Sequence, residues 1–179
     1  KTFYVEAESS SYLPKWRKQT DYRKNYSAFS KKGGGVILDL SHEIDYIKWL
    51  FPFFRIQKIL KKKISNLKIS SEDFALILGK IKKNQLVKVK LTYFNKSPKR
   101  FLTICLKNDI QIYADLIKSK IKIYKKNNFQ NINLKNFTQN ETTTEMYRCI
   151  LNNKFKNICS FEHGLDILKQ IKYSNLINN

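Results

Sequence analysis

The chain has 179 residues, a formal net charge of +21, 42% hydrophobic and 13% aromatic residues. That composition excludes a disordered chain and provides one domain with a real core, while no apolar run reaches membrane-spanning length and no signal peptide opens the chain. The charge invites nucleic acid, but it is mostly Lys, accompanied by an excess of Ile and Asn that also have AT-rich codons. No helix-turn-helix, zinc-finger or RNP-like pattern goes with it, so neither a specific nucleic-acid partner nor a membrane partner is expected.

In chain order, the opening Lys1-Thr2-Phe3-Tyr4-Val5-Glu6-Ala7 lacks an initiator Met and looks like the middle of a longer protein. Residues 1–8 alternate as a half-buried strand. Residues 9–32 form a long polar loop whose Tyr12, Trp16, Arg17, Asp21, Tyr22, Arg23 and Tyr26 are side chains of the kind that recognise ligands. Gly33-Gly34-Gly35 then leads into one helix from about Val36 to Phe51, stopped by Pro52. Ile37, Leu40, Ile44, Ile47 and Phe51 form its apolar face, and Asp39, His42, Tyr46 and Trp49 fall opposite.

The period then changes to two. Residues 54–60, 73–82, 85–94, 100–107, 110–116 and 119–125 are predicted strands, joined by connections too short for parallel crossovers. Residues 126–140 are predicted as loop with a short edge strand. A helix follows from near Glu141, and a last one spans about 161–174, with Leu165, Leu168 and Ile171 on one face. Residues 174–179 are expected to fray. The predicted fold is a single α+β domain over 1–179, a largely antiparallel open sheet with helices packed on one face.

Asp39 and His42, three apart on one helical face, make a candidate acid/base unit, the carboxylate orienting the imidazole. No metal is expected, because the second His of a zinc-protease helix is missing at position 46. Cys105, Cys149 and Cys159 are odd in number and widely spaced, which argues against a disulfide framework or a zinc site and fits a reducing cytoplasm. Glu162-His163 looks like a helix-start feature. No dinucleotide fingerprint, P-loop, nucleophile elbow or Cys–His arrangement occurs.

The run Gly33-Gly34-Gly35-Val36-Ile37-Leu38-Asp39-Leu40-Ser41-His42-Glu43-Ile44-Asp45 resembles the C-terminal-domain signature of the Gfo/Idh/MocA oxidoreductases, the glucose–fructose oxidoreductase and inositol dehydrogenase family. Upstream, Ser11–Arg17 and Asp21–Ser27 resemble a branch associated with bacterial surface-sugar and flagellin-glycan pathways. Downstream, Tyr113–Ile117, Met146-Tyr147 and Phe161–Leu168 resemble the late strand and closing helices, so the likeness covers essentially the whole chain. It implies an enzyme whose NAD or NADP is bound mainly by an N-terminal Rossmann domain absent from this chain. It also implies a catalytic His (His42) partnered by Asp39, a sugar substrate and homo-oligomerisation through the sheet face. Many members place the Asp four residues before the His, whereas here the gap is three. Gly34 and Gly35 become candidates for approach to the nicotinamide.

Together these readings give the substrate-binding domain of a cytoplasmic NAD(P)-dependent sugar oxidoreductase, inactive alone, with Tyr12, Trp16, Arg17, Asp21, Tyr22 and Arg23 facing the substrate. Two arginines able to clamp a carboxylate or phosphate point to an acidic or nucleotide-linked sugar. The alternative is a non-enzymatic sugar-binding or scaffold module without a cofactor domain.

Overall fold

The computed structural model describes residues 1–135, 137–155 and 158–176. Nine strands form one sheet: β1 (Thr2–Tyr12), β2 (Arg55–Lys62), β3 (Phe74–Lys80), β4 (Leu86–Thr92), β5 (Phe94–Leu106), β6 (Ile110–Asp115), β7 (Lys120–Lys125), β8 (Asn128–Asn133) and β9 (Asn175–Leu176). Their order is β8-β7-β6-β5-β1-β4-β3-β2-β9. Four helices accompany them: α1 (Val36–Asp39), α2 (His42–Leu50), α3 (Gln139–Leu151) and α4 (Phe161–Tyr173). This is the α+β architecture expected, largely antiparallel, with β1–β4 and β2–β9 as parallel pairs. The crossover from β1 to β4 spans residues 13–85, ample length for a parallel return.

Alternation explains the two faces of the sheet. Val5 and Ala7 of β1 and Val87, Val89 and Leu91 of β4 are fully buried, in one core with Ile37 of α1, Leu40 just after it, and Ile44 and Ile47 of α2. The intervening residues stay on the open face, where Glu6 meets Lys88 at 2.8 Å and Glu8 meets Lys90 at 3.4 Å across the β1–β4 register. Such partly exposed pairs each contribute at most about 1 kcal/mol. They therefore tune register, while the buried face stabilises the sheet.

Several boundaries differ from the sequence reading. β1 continues through Tyr12, because its Ser-rich end still finds ladder partners on β4 and β5. β5 begins at Phe94 and takes in Pro98, which lacks a ladder donor and falls in the irregular stretch between the pairs Ser10↔Lys99 and Tyr12↔Phe94. At the C-terminus, Asn175–Leu176 pairs with β2 instead of fraying; residues 177–179 of the tail lie outside the described residues.

The predicted helix Val36–Phe51 is two helices with a turn at Leu40–Ser41. Ser41 N bonds Leu38 O and Glu43 N bonds Leu40 O, both three-residue steps that tighten the backbone there. In α4 the anchoring residues are Ile167, buried, and Ile171, packed on the core, while Leu165 and Leu168 remain more exposed. The helix docks by Gln170 Oε1, which accepts from Ile56 N at 3.0 Å, and by Asp166, 3.2 Å from buried Lys48 Nζ. Partial burial opposes ionisation of Asp166, but Lys48 and Gln170 outweigh it and hold the carboxyl below the usual range. α3 opens with a reciprocal capping box between Thr138 and Glu141, and its Met146, Tyr147, Ile150 and Leu151 are exposed.

Candidate active site

The segment after β1 is a folded chain of short 3-10 turns at Leu13–Lys15, Tyr22–Lys24, Tyr26–Ala28 and Ser30–Lys32. Pro14 pre-sets the first turn, and the Asp21 side chain caps the second by accepting from Arg23 N. The glycines that follow are used for packing. At Gly34 a Cβ would meet the Tyr26 and Ser27 carbonyl oxygens; at Gly35, whose φ is +137°, it would meet the Glu72 carboxylate. Each close approach is made by the chain's own groups, which accounts for both glycines as packing positions.

The turn at Leu40–Ser41 separates the two members of the expected acid/base unit into different contacts. Asp39 Oδ2 accepts from Tyr93 OH at 2.5 Å, and the Trp16 ring stands edge-on to Tyr93 with centroids 5.2 Å apart. Burial, then Asp39, pushes the Tyr93 hydroxyl's pKa far up, so it remains a donor. His42 Nε2 instead lies 3.1 Å from Oε1 of Glu43, a side chain wholly out of solvent. The same oxygen accepts from Arg100 Nε of β5 at 2.6 Å. Glu43 stands four residues after Asp39, the spacing at which many members of the resembled family carry their His. Tyr46, the next turn of α2, has its hydroxyl pKa raised by burial and by Glu43. The imidazole of His42 is about half exposed (49%), so an inward carboxylate orients a ring that still meets solvent.

Two grooves run along the outer side of α2. One, of about 420 Å³, lies between Ser41, His42 and Asp45 and the α4 residues Phe161, Gly164 and Leu168. Its neighbour, of about 630 Å³, lies between Asp45, Tyr46 and Trp49 and Ile158, Ser160 and His163. Asp45 and Cys159 line both. His163 Nε2 is 3.0 Å from Asp45 Oδ1, and Cys159 Sγ donates to the same oxygen at 3.5 Å. The helix-start reading of His163 holds for its backbone, capped by Ser160 Oγ, while its ring reaches across to α2.

The loop residues expected to face substrate divide in two. Trp16 and Tyr22 pack on the core: Trp16 Nε1 donates to Ser11 Oγ, and Tyr22 OH accepts from Lys68 N. Tyr12 ends β1 opposite Phe94. Arg23 is engaged by Asp21 at 2.8 Å, whereas Arg17 lies over the Tyr26 ring and lines a cavity of about 510 Å³ with Lys15, Lys18 and Asp21. The sequence reading missed Glu43, Arg100 and Tyr93. The available signal was Glu43 itself, an acidic residue at the edge of an otherwise apolar arc.

No family model and no curated protein matches the sequence. Solved structures do. A UDP-N-acetylglucosamine 3-dehydrogenase from Acidithiobacillus ferrooxidans superposes with a TM-score of 0.70 at 14% identity, over 96% of this chain and 52% of that one. An Agrobacterium radiobacter oxidoreductase in complex with NAD+, L-tartaric acid and magnesium gives 0.72 at 15%, over 97% and 54%. A 3-ketoreductase from Actinomadura kijaniata in complex with NADP gives 0.66 at 10%, over 99% and 53%. The chain spans about half the length of these structures. They are oxidoreductases of the Gfo/Idh/MocA type, and at these identities the likeness is one of fold. This chain has the fold of their C-terminal domain.

Proposed function

We propose that this chain is the substrate-binding half of an NAD(P)-dependent sugar oxidoreductase. The observation that carries the reading is an outward imidazole, His42, oriented by a buried carboxylate on a groove wall, within a fold shared with NAD(P)-linked sugar enzymes. The nicotinamide cofactor supplies redox chemistry and is held outside these residues. This chain's part is to seat the sugar beside α2 and to move the hydroxyl proton at His42 Nδ1, the ring nitrogen not engaged by Glu43. Glu43, beside Nε2, keeps the ring in place and stabilises the imidazolium when Nδ1 carries the proton. Asp39 acts through Tyr93, tying α1 to the β4–β5 junction. Homo-oligomerisation is assigned to the open sheet face, where Phe101 and Tyr113 stack with centroids 5.7 Å apart.

The anionic part of an acidic or nucleotide-linked sugar is assigned to Arg17 with Lys15 and Lys18, since Arg23 already has its carboxylate. The test is turnover by the native polypeptide carrying this chain, on nucleotide-linked, acidic and neutral sugars with NAD+ and NADP+. Arg17→Ala is expected to raise KM for the anionic sugars by about 10–100-fold, the loss of one charge-assisted bond, and to leave neutral sugars unchanged. Arg23→Ala is expected to have the smaller effect. Equal losses on neutral and anionic sugars contradict the assignment of Arg17, and no turnover with either cofactor contradicts the enzyme reading.

A further inference from the structure

We infer that Asp45, Cys159 and His163 form a binding site for a zinc-class transition-metal ion that clamps the start of α4 to α2. The inference rests on these three side chains and is independent of the proposed activity. Their ligand atoms, one oxygen, one sulfur and one nitrogen, all lie within 4.8 Å of one another. The Asp45 oxygen is 3.5 Å from the sulfur and 3.0 Å from the nitrogen. Ligands held tetrahedrally at zinc's bond lengths of about 2.0–2.3 Å are separated from each other by roughly 3.3–3.8 Å. The two Asp45 separations already lie within a few tenths of an ångström of that range, and closing the sulfur–nitrogen separation, which is no more than 4.8 Å, would complete three corners of such a site.

A second observation concerns the nitrogen. His163 Nε2 is sealed from solvent, yet the Asp45 oxygen beside it is out of line for a hydrogen bond, and the nitrogen has no hydrogen-bond partner. A buried polar atom left in that state is costly; a cation between it and the carboxylate gives both a partner. The local fold favours the convergence. Cys159 precedes the Ser160 cap and His163 lies in the first turn of α4, so both stand at the start of that helix, where each reaches the same Asp45 oxygen of α2. Cys159 is exposed, and with Asp45 it lines both grooves, which gives an entry path and leaves the fourth corner open to water or ligand.

The donor set chooses the metal. A thiolate with an imidazole and one carboxylate suits zinc or cobalt, whereas magnesium and calcium require oxygen ligands. Metal uptake displaces the Cys159 proton to solvent, with no change of oxidation state. Asp45 stands one turn from His42, so the ion would also stiffen the wall of the His42 groove.

Cobalt(II) titrated into the full chain is expected to bind one equivalent, with a thiolate-to-cobalt charge-transfer band and tetrahedral visible bands that added zinc removes. Cys159→Ser should abolish the charge-transfer band, while Cys105→Ser and Cys149→Ser keep it. His163→Ala should lower cobalt affinity by at least the roughly 10–100-fold associated with loss of a residue that merely supports a metal ligand. Because Cys159 is exposed and outside the core, the serine variant retains the fold, checked by an unchanged circular dichroism spectrum. Absence of the band, its survival in Cys159→Ser, or wild-type cobalt affinity in His163→Ala overturns the site.

Discussion

In the native polypeptide that carries this chain, His42→Ala is expected to lower kcat by about 10²–10⁴-fold, the range contributed by a positioned proton-transfer group. The melting temperature should hardly move. The imidazole is half in solvent, and Arg100 still pairs with Glu43 Oε1 when the ring is gone; substitutions at such positions usually stay within about 0.5 kcal/mol. Steady-state turnover and thermal unfolding of the same preparation separate the two effects. A large fall in stability with unchanged kcat would make His42 a structural partner of Glu43 and remove it from the chemistry.

The second large effect belongs to the Glu43–Arg100 pair. Glu43 is wholly buried, and Arg100 Nε at 2.6 Å supplies its compensating charge from β5, with 40% of the arginine side chain exposed. Arg100→Ala leaves an uncompensated carboxylate in the core. Breaking a fully buried pair costs roughly 3–5 kcal/mol; the half-exposed guanidinium lowers the expectation to about 2–3 kcal/mol. The double variant Arg100→Ala with Glu43→Gln should recover part of that loss, because the penalty comes from the lone charge and not from the missing contact. Urea unfolding of the wild type, both single variants and the double variant closes the cycle. Strict additivity would show that the two groups do not share an interaction. Catalysis should follow the same pair, since the carboxylate that Arg100 holds is the one that orients His42.

The elements with a clean period were legible in the sequence. Val87, Val89 and Leu91 alternating with Lys88 and Lys90 define β4 and its buried face, which the structure reproduces. The break at Leu40–Ser41 was not legible, because no Gly or Pro marks it and the apolar spacing continues through it. The break instead accompanies long-range contacts, Asp39 to Tyr93 and Glu43 to Arg100, whose partners lie 54 and 57 residues away. The same limit applies to α4. A face of Leu165, Leu168 and Ile171 and a face of Ile167 and Ile171 are both helical, and docking on β2 selects the second.

At the candidate site, local spacing paired His42 with Asp39, whereas the structure gives the imidazole a different immediate neighbour: Glu43 lies beside it and Asp39 bonds Tyr93. In the turn-rich segment, an aromatic residue near a site and an aromatic residue packing the loop have the same sequence appearance. Trp16 and Tyr22 prove to pack, while Arg17 remains on a cavity wall. His163 was legible as a helix start and illegible as a partner of Asp45, since that contact joins residues 118 positions apart across two helices.

The most direct test of the central claim is the mass of the native polypeptide in its source cells. The chain accounts for 21.3 kDa and covers 52% of the first solved dehydrogenase described above. A substrate-binding half therefore predicts a product of roughly twice that mass, containing a further domain of ordinary size. A native product of 21.3 kDa would contradict the assignment of this chain to an NAD(P)-dependent oxidoreductase and leave the sugar-binding or scaffold module in its place.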